Sequence, residues 1–334
     1  MNEVRMNERA AVPRLLGVSA LVALIISLLL VVFVWPAVHT APNHLPLALV
    51  APSSAAQQLR QRLETARPGA FDLTDYGTEE QARQAIQRRE VYGALLVTPT
   101  GPHILTASAA SPAVAQLLTQ IAGTLATPGS TAAKLVEDVV PATQDDPRQA
   151  GLGAAALPLV LSGMLSGLLL TRTFSRGRER VAGALLIAVF SGLAVAGILQ
   201  GGFGTLGGSY WINGLSLSLG IGATVFLILG LEANLGAAGL GLGAAILMLL
   251  GNPFSALASA PQMYPGVWGA VGQLLPPGAI GTLLRSTAFF NGSGWEAPVL
   301  VLSVWLLVGL ALVASGSARK RGDVRLDRAV SAGM

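Results

Sequence analysis

The chain has 334 residues, of which 52% are hydrophobic and only 11% charged, with a net charge of +4. A soluble domain carries about 25% charged residues, so an ordinary soluble enzyme is excluded, and recurring apolar runs of about twenty residues point to a helical integral membrane protein. No cysteine is present, which excludes a disulfide framework, a thiolate metal site and a cysteine nucleophile.

Segment 1–14 carries Arg5, Arg9 and Arg14 and reads as a cytoplasmic N-terminus. Leu15–Val38 is the first span. Its apolar core exceeds the roughly 7–15 residues of a secretory signal, and the following "AVHTAP" lacks a small-x-small cleavage site, so a retained anchor is expected.

Residues 39–150 contain no comparable run and read as a mixed α/β domain of order βαβαββα, outside the membrane. The strands are Leu45–Ala51, Phe71–Tyr76, Val91–Val97 and His103–Ala107, the last two forming a hairpin across "TPTGP". Helices follow Ser53 or Ser54 (Ala55, Leu59 and Leu63 on one face), Thr78 ("EEQARQAIQRR") and Ser111 (Val114, Leu117, Leu118, Ile121, Leu125). The core of such a domain is small, so it is expected to lean on a partner or on the membrane surface. Its histidines, His39, His44 and His103, show no metal-ligand spacing and read as loop residues. Asp145–Asp146 reads as a solvated linker or a cation site.

Five more spans follow at Leu152–Leu170, Val181–Gln200, Asn213–Leu231, Leu235–Leu250 and Pro298–Ala314, giving six transmembrane helices with charge-free cores. Arginine and lysine collect in 1–14, 172–180 and 316–334 (Arg319, Lys320, Arg321, Arg325, Arg328), while 201–212 has none and 251–297 only Arg285. Both termini are therefore expected in the cytoplasm. This topology accounts for the basic residues without nucleic acid.

No His, Lys or Asp lies in a span to activate a serine, and no P-loop occurs, so no enzyme, cofactor or metal is expected. Two motifs, Gly163-x-x-x-Gly167 and Gly239-x-x-x-Gly243, allow close helix approach, within the chain or at a dimer face. Glu232 falls in the inner turn between the fourth and fifth spans and reads as a helix-end residue or a gating or partner contact. The loop "RTFSRGRER" (Arg172–Arg180) is either a topology signal or a docking element. In the second reading, Phe174 is an apolar knob among Arg172, Arg176, Arg178 and Arg180.

Gly251–Pro298 is too apolar for a solvated loop and too broken for a span. A re-entrant pair of short helices satisfies its backbone, with Pro276–Pro277 at the junction because proline starts a helix without continuing one. Gly278–Arg285 then leads outwards. Arg285 is expected to snorkel to the outer headgroups or to pair with Glu296, and Trp268 and Trp295 suit the outer interface.

The segment "GNPFSALASAPQMYP" with "WGAVGQLLPPGAIGTLLRSTAFF" (within Gly251–Phe290), together with the layout of one span, an outer domain and five spans, resembles the permease subunits of type-2 ABC transporters. The similarity is greatest to the branch related to the phage infection protein (Pip). The resemblance implies a bacterial cytoplasmic membrane protein that pairs with a second copy or a related permease, in contact with membrane lipid. It implies export driven by a separate cytoplasmic ABC ATPase. Arg172–Arg180 would be the coupling segment, and Pro276, Pro277, Gly278 and Arg285 would lie near the outer exit. Two other readings stand beside it: a non-transporting scaffold or surface receptor acting through 39–150, and a secondary carrier using Glu232.

Overall fold

The computed structural model describes residues 2–98, 101–125 and 135–332, with side chains described within 13–98, 101–124 and 135–319. Lys134 and the side chains of Arg5, Arg9, Lys320, Arg321, Arg325 and Arg328 lie outside the described residues.

Met1–Thr40 forms one unit. It is a single helix, α1 (Asn2–Val38). The apolar part, Pro13–Val38, has 26 residues, or about 39 Å at 1.5 Å per residue, enough to cross a hydrocarbon core of about 30 Å. Leu15, Leu24 and Leu30 along it are exposed, as side chains meeting lipid are.

The second unit, Ala41–Met334, begins with the α/β domain. Strands β1 (Leu45–Val50), β2 (Phe71–Asp75), β3 (Gly93–Thr98), β4 (Gly101–Thr106) and β5 (Val136–Asp138) form one sheet of order β2-β1-β3-β4-β5. β1 runs parallel to β2 and β3, β3 and β4 form an antiparallel hairpin, and β5 runs parallel to β4. Both sheet faces are buried, so β1 reads as a continuous apolar run. Leu45, Leu47 and Leu49 pack with Ala56 of α2 (Ser53–Ala66) and Val114, Leu117 and Leu118 of α4 (Pro112–Leu125). Ala48 packs on the other face with Ala82, Ala85 and Ile86 of α3 (Glu79–Gln87). Helix α3 starts at Thr78, whose hydroxyl accepts from the Gln81 amide at 3.2 Å. The support that this small core needs comes from the chain itself: Ala260 and Met263 complete one face and Phe290 the other.

The remaining helices are α5 (Ala150–Thr173), α6 (Gly177–Ala196, continued by a π turn to Gly202), α7 (Tyr210–Leu235), α8 (Ala237–Ala245, continued by a π turn to Gly251), α9 (Trp268–Gln273), α10 (Pro276–Phe289) and α11 (Glu296–Ala332). Five helices among the described residues are long and apolar enough to cross a membrane: α1, α5, α6, α7 and α11. The predicted fifth span is not among them. Ala237–Gly251 reaches only about 22 Å.

Helix α7 is the centre of the membrane helices. Gly220–Gly230 is buried without interruption, the pattern of a helix apolar all round and enclosed by others. Both small-residue motifs are spent on it. A Cβ on Gly163 or Gly167 of α5 would come within 2.4 Å of the Thr224 or Ile228 side chain. Gly239 and Gly243 of α8 meet Leu231 and Ile228 in the same way. The close approaches are therefore made within the chain.

Candidate functional site

Two sites stand out, one at each end of α7. The first is the basic turn between α5 and α6. Helix α5 ends at Thr173 and α6 begins at Gly177, so the turn proper is only Phe174, Ser175 and Arg176. Arg172, Phe174, Arg176 and Arg178 are exposed. Arg180 is not part of that surface. Its guanidinium donates to the Glu232 carboxylate at 2.9 Å and to the carbonyls of Phe174 and Thr171 at 2.8 and 3.0 Å, and both side chains of the ion pair are 15% exposed. Glu232 lies in the last turn of α7, where a negative charge opposes the helix dipole. Arg180 offsets that cost and ties the basic turn to α7. Glu232 is thus a helix-end residue with a named partner, and four of the five predicted loop residues, not Arg180, are exposed.

The second site is α10 and what surrounds it. Leu275 has extended backbone and Pro276–Pro277 occupy the first turn of α10, after the short α9. Nearly the whole helix is buried: Pro276–Gly281, Leu283–Ser286 and Ala288. Its neighbours include α7, where Gly220 admits the Ile280 side chain. Gly278 lies against the Gly272 carbonyl, 2.2 Å from where a Cβ would stand. Proline fits here because the first-turn amides of a helix have no intrahelical acceptor.

Arg285 corrects an expectation. It neither snorkels nor pairs with Glu296. It is 2% exposed, while Glu296 is exposed at the start of α11. Its Nη1 donates to the Ala256 carbonyl at 3.1 Å, its Nη2 to the Leu257 carbonyl, and its Nε lies 3.4 Å from Gln149 Oε1. The reason lies in the chain after α8. Positions 252–260 form no regular helix or strand, and Ala256 holds φ +56°. Irregular backbone away from water needs donors for its carbonyls, and a guanidinium supplies several in one plane.

Three further residues hold this site, Arg89 and Gln149 tying it to the α/β domain and Asn213 to the start of α7, and none was marked by the sequence. Arg89, in the left-handed region at φ +61° after α3, donates through Nη1 to the Thr282 carbonyl at 2.9 Å and to the Ser286 hydroxyl. Its guanidinium stands 5.3 Å from the centre of the Phe290 ring. Burial pushes its pKa down, opposed by the nearby Tyr92. Gln149, 2% exposed, donates to the Ala109 carbonyl at 2.8 Å. Asn213, fully buried in the first turn of α7, donates to Gln200 and the Gly207 carbonyl and accepts from Thr287 of α10 at 2.8 Å. In sequence, Arg89 looks like a solvated helix end, and Gln149 and Asn213 like the edges of spans.

The acidic candidates resolve into structural roles. Asp146 is a helix cap rather than a solvated linker residue: its carboxylate accepts from the Ala150 and Gly151 amides, both at 2.8 Å. Glu79, His103 and Glu137 approach within 4.8 Å of one another. Arg83 already occupies that carboxylate pair, donating to Glu137 and to Glu79. This bond holds the Glu137 carboxyl below its ordinary pKa.

An open groove of about 700 Å³ runs along the same side of the domain, between α3 (Gln84, Gln87, Arg88), Val139–Thr143 and Phe290. Comparison with protein-family models found no match, and comparison with curated proteins found none either.

Proposed function

We propose that the chain is a permease-like membrane subunit of an ABC-type exporter in a bacterial cytoplasmic membrane, with ATP hydrolysis supplied by a separate cytoplasmic subunit. In this reading α8 completes a sixth crossing, both termini are cytoplasmic, the α/β domain lies outside, α9 and α10 form the re-entrant pair, and the permease works as a dimer. The observation that carries the proposal is the anchoring of α7 at both ends. Arg180–Glu232 ties one end to the basic turn, and Asn213–Thr287 ties the other to α10. A push on the exposed Arg172, Phe174, Arg176 and Arg178 is thereby delivered by one rigid helix to the outer junction. Discrete packed elements transmit displacement in this manner.

The test is co-purification with candidate ATPases followed by measurement of ATP hydrolysis. Arg176→Glu with Arg178→Glu is expected to cut the permease-dependent rate by about tenfold or more, the factor that 1.4 kcal/mol produces. If no ATPase co-purifies and the charge-reversed protein behaves as wild type in cells, the proposal fails. The groove beside Phe290 favours a second reading, a surface receptor or scaffold working through the α/β domain. Under that reading, deletion of 41–148 abolishes function while charge reversal in the basic turn is silent.

A further inference from the structure

Beneath the α/β domain, a separate cavity of about 250 Å³ is lined by Arg89, Tyr92, Gln262, Gln273, Thr282 and Arg285, with small apolar contributions from Ala110, Pro261 and the start of α11. Two guanidinium groups thus share one small space. Among the described residues, no carboxylate lines it and neither arginine makes an ion pair. Every hydrogen bond that Arg285 donates among the described residues ends on a neutral oxygen, and the same is true of Arg89, whose other neighbour is the Phe290 ring.

Buried charge is normally paired, because the desolvation of an unpaired ion is expensive. Two like charges on one cavity add mutual repulsion, which a low-dielectric setting strengthens. The donors are also not exhausted. A guanidinium carries five N–H groups; Arg285 uses three in the contacts above and Arg89 uses only its Nη1 group. Gln262 accepts from the Tyr92 hydroxyl at 2.9 Å, and its amide NH₂ has no partner among the described residues. The remaining polar groups of the lining are engaged with each other: Thr282 donates to Gln273 Oε1, and Gln273 Nε2 to the Ser255 carbonyl.

We infer that this cavity is a binding site for a phosphate group, held between Arg89 and Arg285 with Gln262 as an added donor. Planar guanidinium forks match oxyanions in geometry. A phosphate monoester carries close to two negative charges at neutral pH, which balances the two cations, whereas a carboxylate balances one. The volume admits a headgroup-sized anion and excludes a whole lipid or peptide. The phosphate belongs either to a free anion or to a lipid headgroup entering from the membrane side. The site does not depend on the presence of an ATPase and goes beyond the export reading.

The experiment is thermal unfolding of the purified full chain. One arm uses detergent with inorganic phosphate against chloride at equal ionic strength. The other uses nanodiscs with and without phosphatidic acid. A saturable rise of the midpoint in the first arm assigns a free phosphate, and a rise confined to the second assigns the lipid headgroup. In the responding arm, Arg89→Gln is expected to weaken the apparent affinity at least tenfold. Arg285→Gln also removes carbonyl donors and is prone to misfolding, so the decisive variant is Gln262→Glu. It installs a carboxylate on the wall of the cavity that the two arginines share. Its midpoint in chloride should rise above wild type, and its phosphate response should vanish. The inference is overturned if wild type responds in neither arm, or if Gln262→Glu lowers the midpoint in chloride and keeps the full phosphate response.

Discussion

At one end of α7, Arg180 meets a carboxylate; at the other end of the helix assembly, Arg285 meets only carbonyl and amide oxygens. Both arginines are withdrawn from water, but their surroundings ask different things of them. The basic turn is three residues long between two continuous helices, so Arg180 serves two backbone carbonyls, those of Thr171 and Phe174, and still has a donor left to neutralise Glu232. The segment after α8 is irregular for most of its length, and there the arginine serves as a donor to backbone. Buried arginines in apolar regions are therefore better classified by what they hydrogen-bond than by their depth.

The comparison can be broken most forcibly at Arg285. Arg285→Met leaves the Ala256 and Leu257 carbonyls without their donor, and about 3 kcal/mol of stability should be lost, given about 1–3 kcal/mol for each buried polar group left unsatisfied. Chemical unfolding in detergent measures it; a loss under about 1 kcal/mol would show that water or a shifted side chain replaces the guanidinium. At the other end, a double-mutant cycle of Arg180→Gln and Glu232→Gln should give a coupling of about 1–2 kcal/mol, within the range for directly contacting pairs. A coupling near zero would reduce the pair to a surface contact. Next in size, Arg176→Glu with Arg178→Glu should change stability by no more than about 0.5 kcal/mol, as exposed positions do. This separates the exposed residues of the basic turn from the Arg180 anchor beside them.

The smallest effect concerns the domain. Arg83 holds the Glu137 carboxyl below its ordinary value of 4.5. A depressed carboxyl stabilises the fold above the unfolded pKa and loses that contribution as pH falls below about 4.5 through the folded value. Both partners are partly exposed, so the loss should be about 0.5 kcal/mol. Arg83→Gln should lower the unfolding midpoint at pH 7 slightly, by the equivalent of that roughly 0.5 kcal/mol, and leave it nearly unchanged near pH 3, so that the pH dependence between pH 3 and 5 is flattened.

Apolar run length and period-two strands made the broad architecture readable. Leu15–Val38, the helical spacing after the Thr78 cap and the continuous run at Leu45–Ala51 each correspond to an element close to its expected bounds. Strand β5 escaped because three residues carry no period. The bounds of α8 with its π turn fall within two residues of the expected Leu235–Leu250, but its length leaves it outside the helices long enough to cross a membrane unaided. Pro276–Pro277 announced a helix start by its own covalent geometry. Arg285 announced only that it was unusual, because its role depends on carbonyls almost thirty residues earlier. Arg89 and Gln149 carried no signal, since their partners are brought to them by tertiary packing alone.

Helix α7 also has a consequence for how the protein is made. One flank of it is closed by α11, where Gly309 lies directly against the Phe226 backbone and Gly316 against Ala233. Helix α11 leaves the ribosome well after α7. At about 5–20 residues per second, α7 waits on the order of ten seconds with that flank turned to lipid or to the insertion machinery. Its serines, Asn213 and Thr224 are buried in the finished protein. During this interval, the hydroxyls of Ser216, Ser218 and Thr224 bonded back to carbonyls one turn earlier keep the unfinished helix stable in the bilayer.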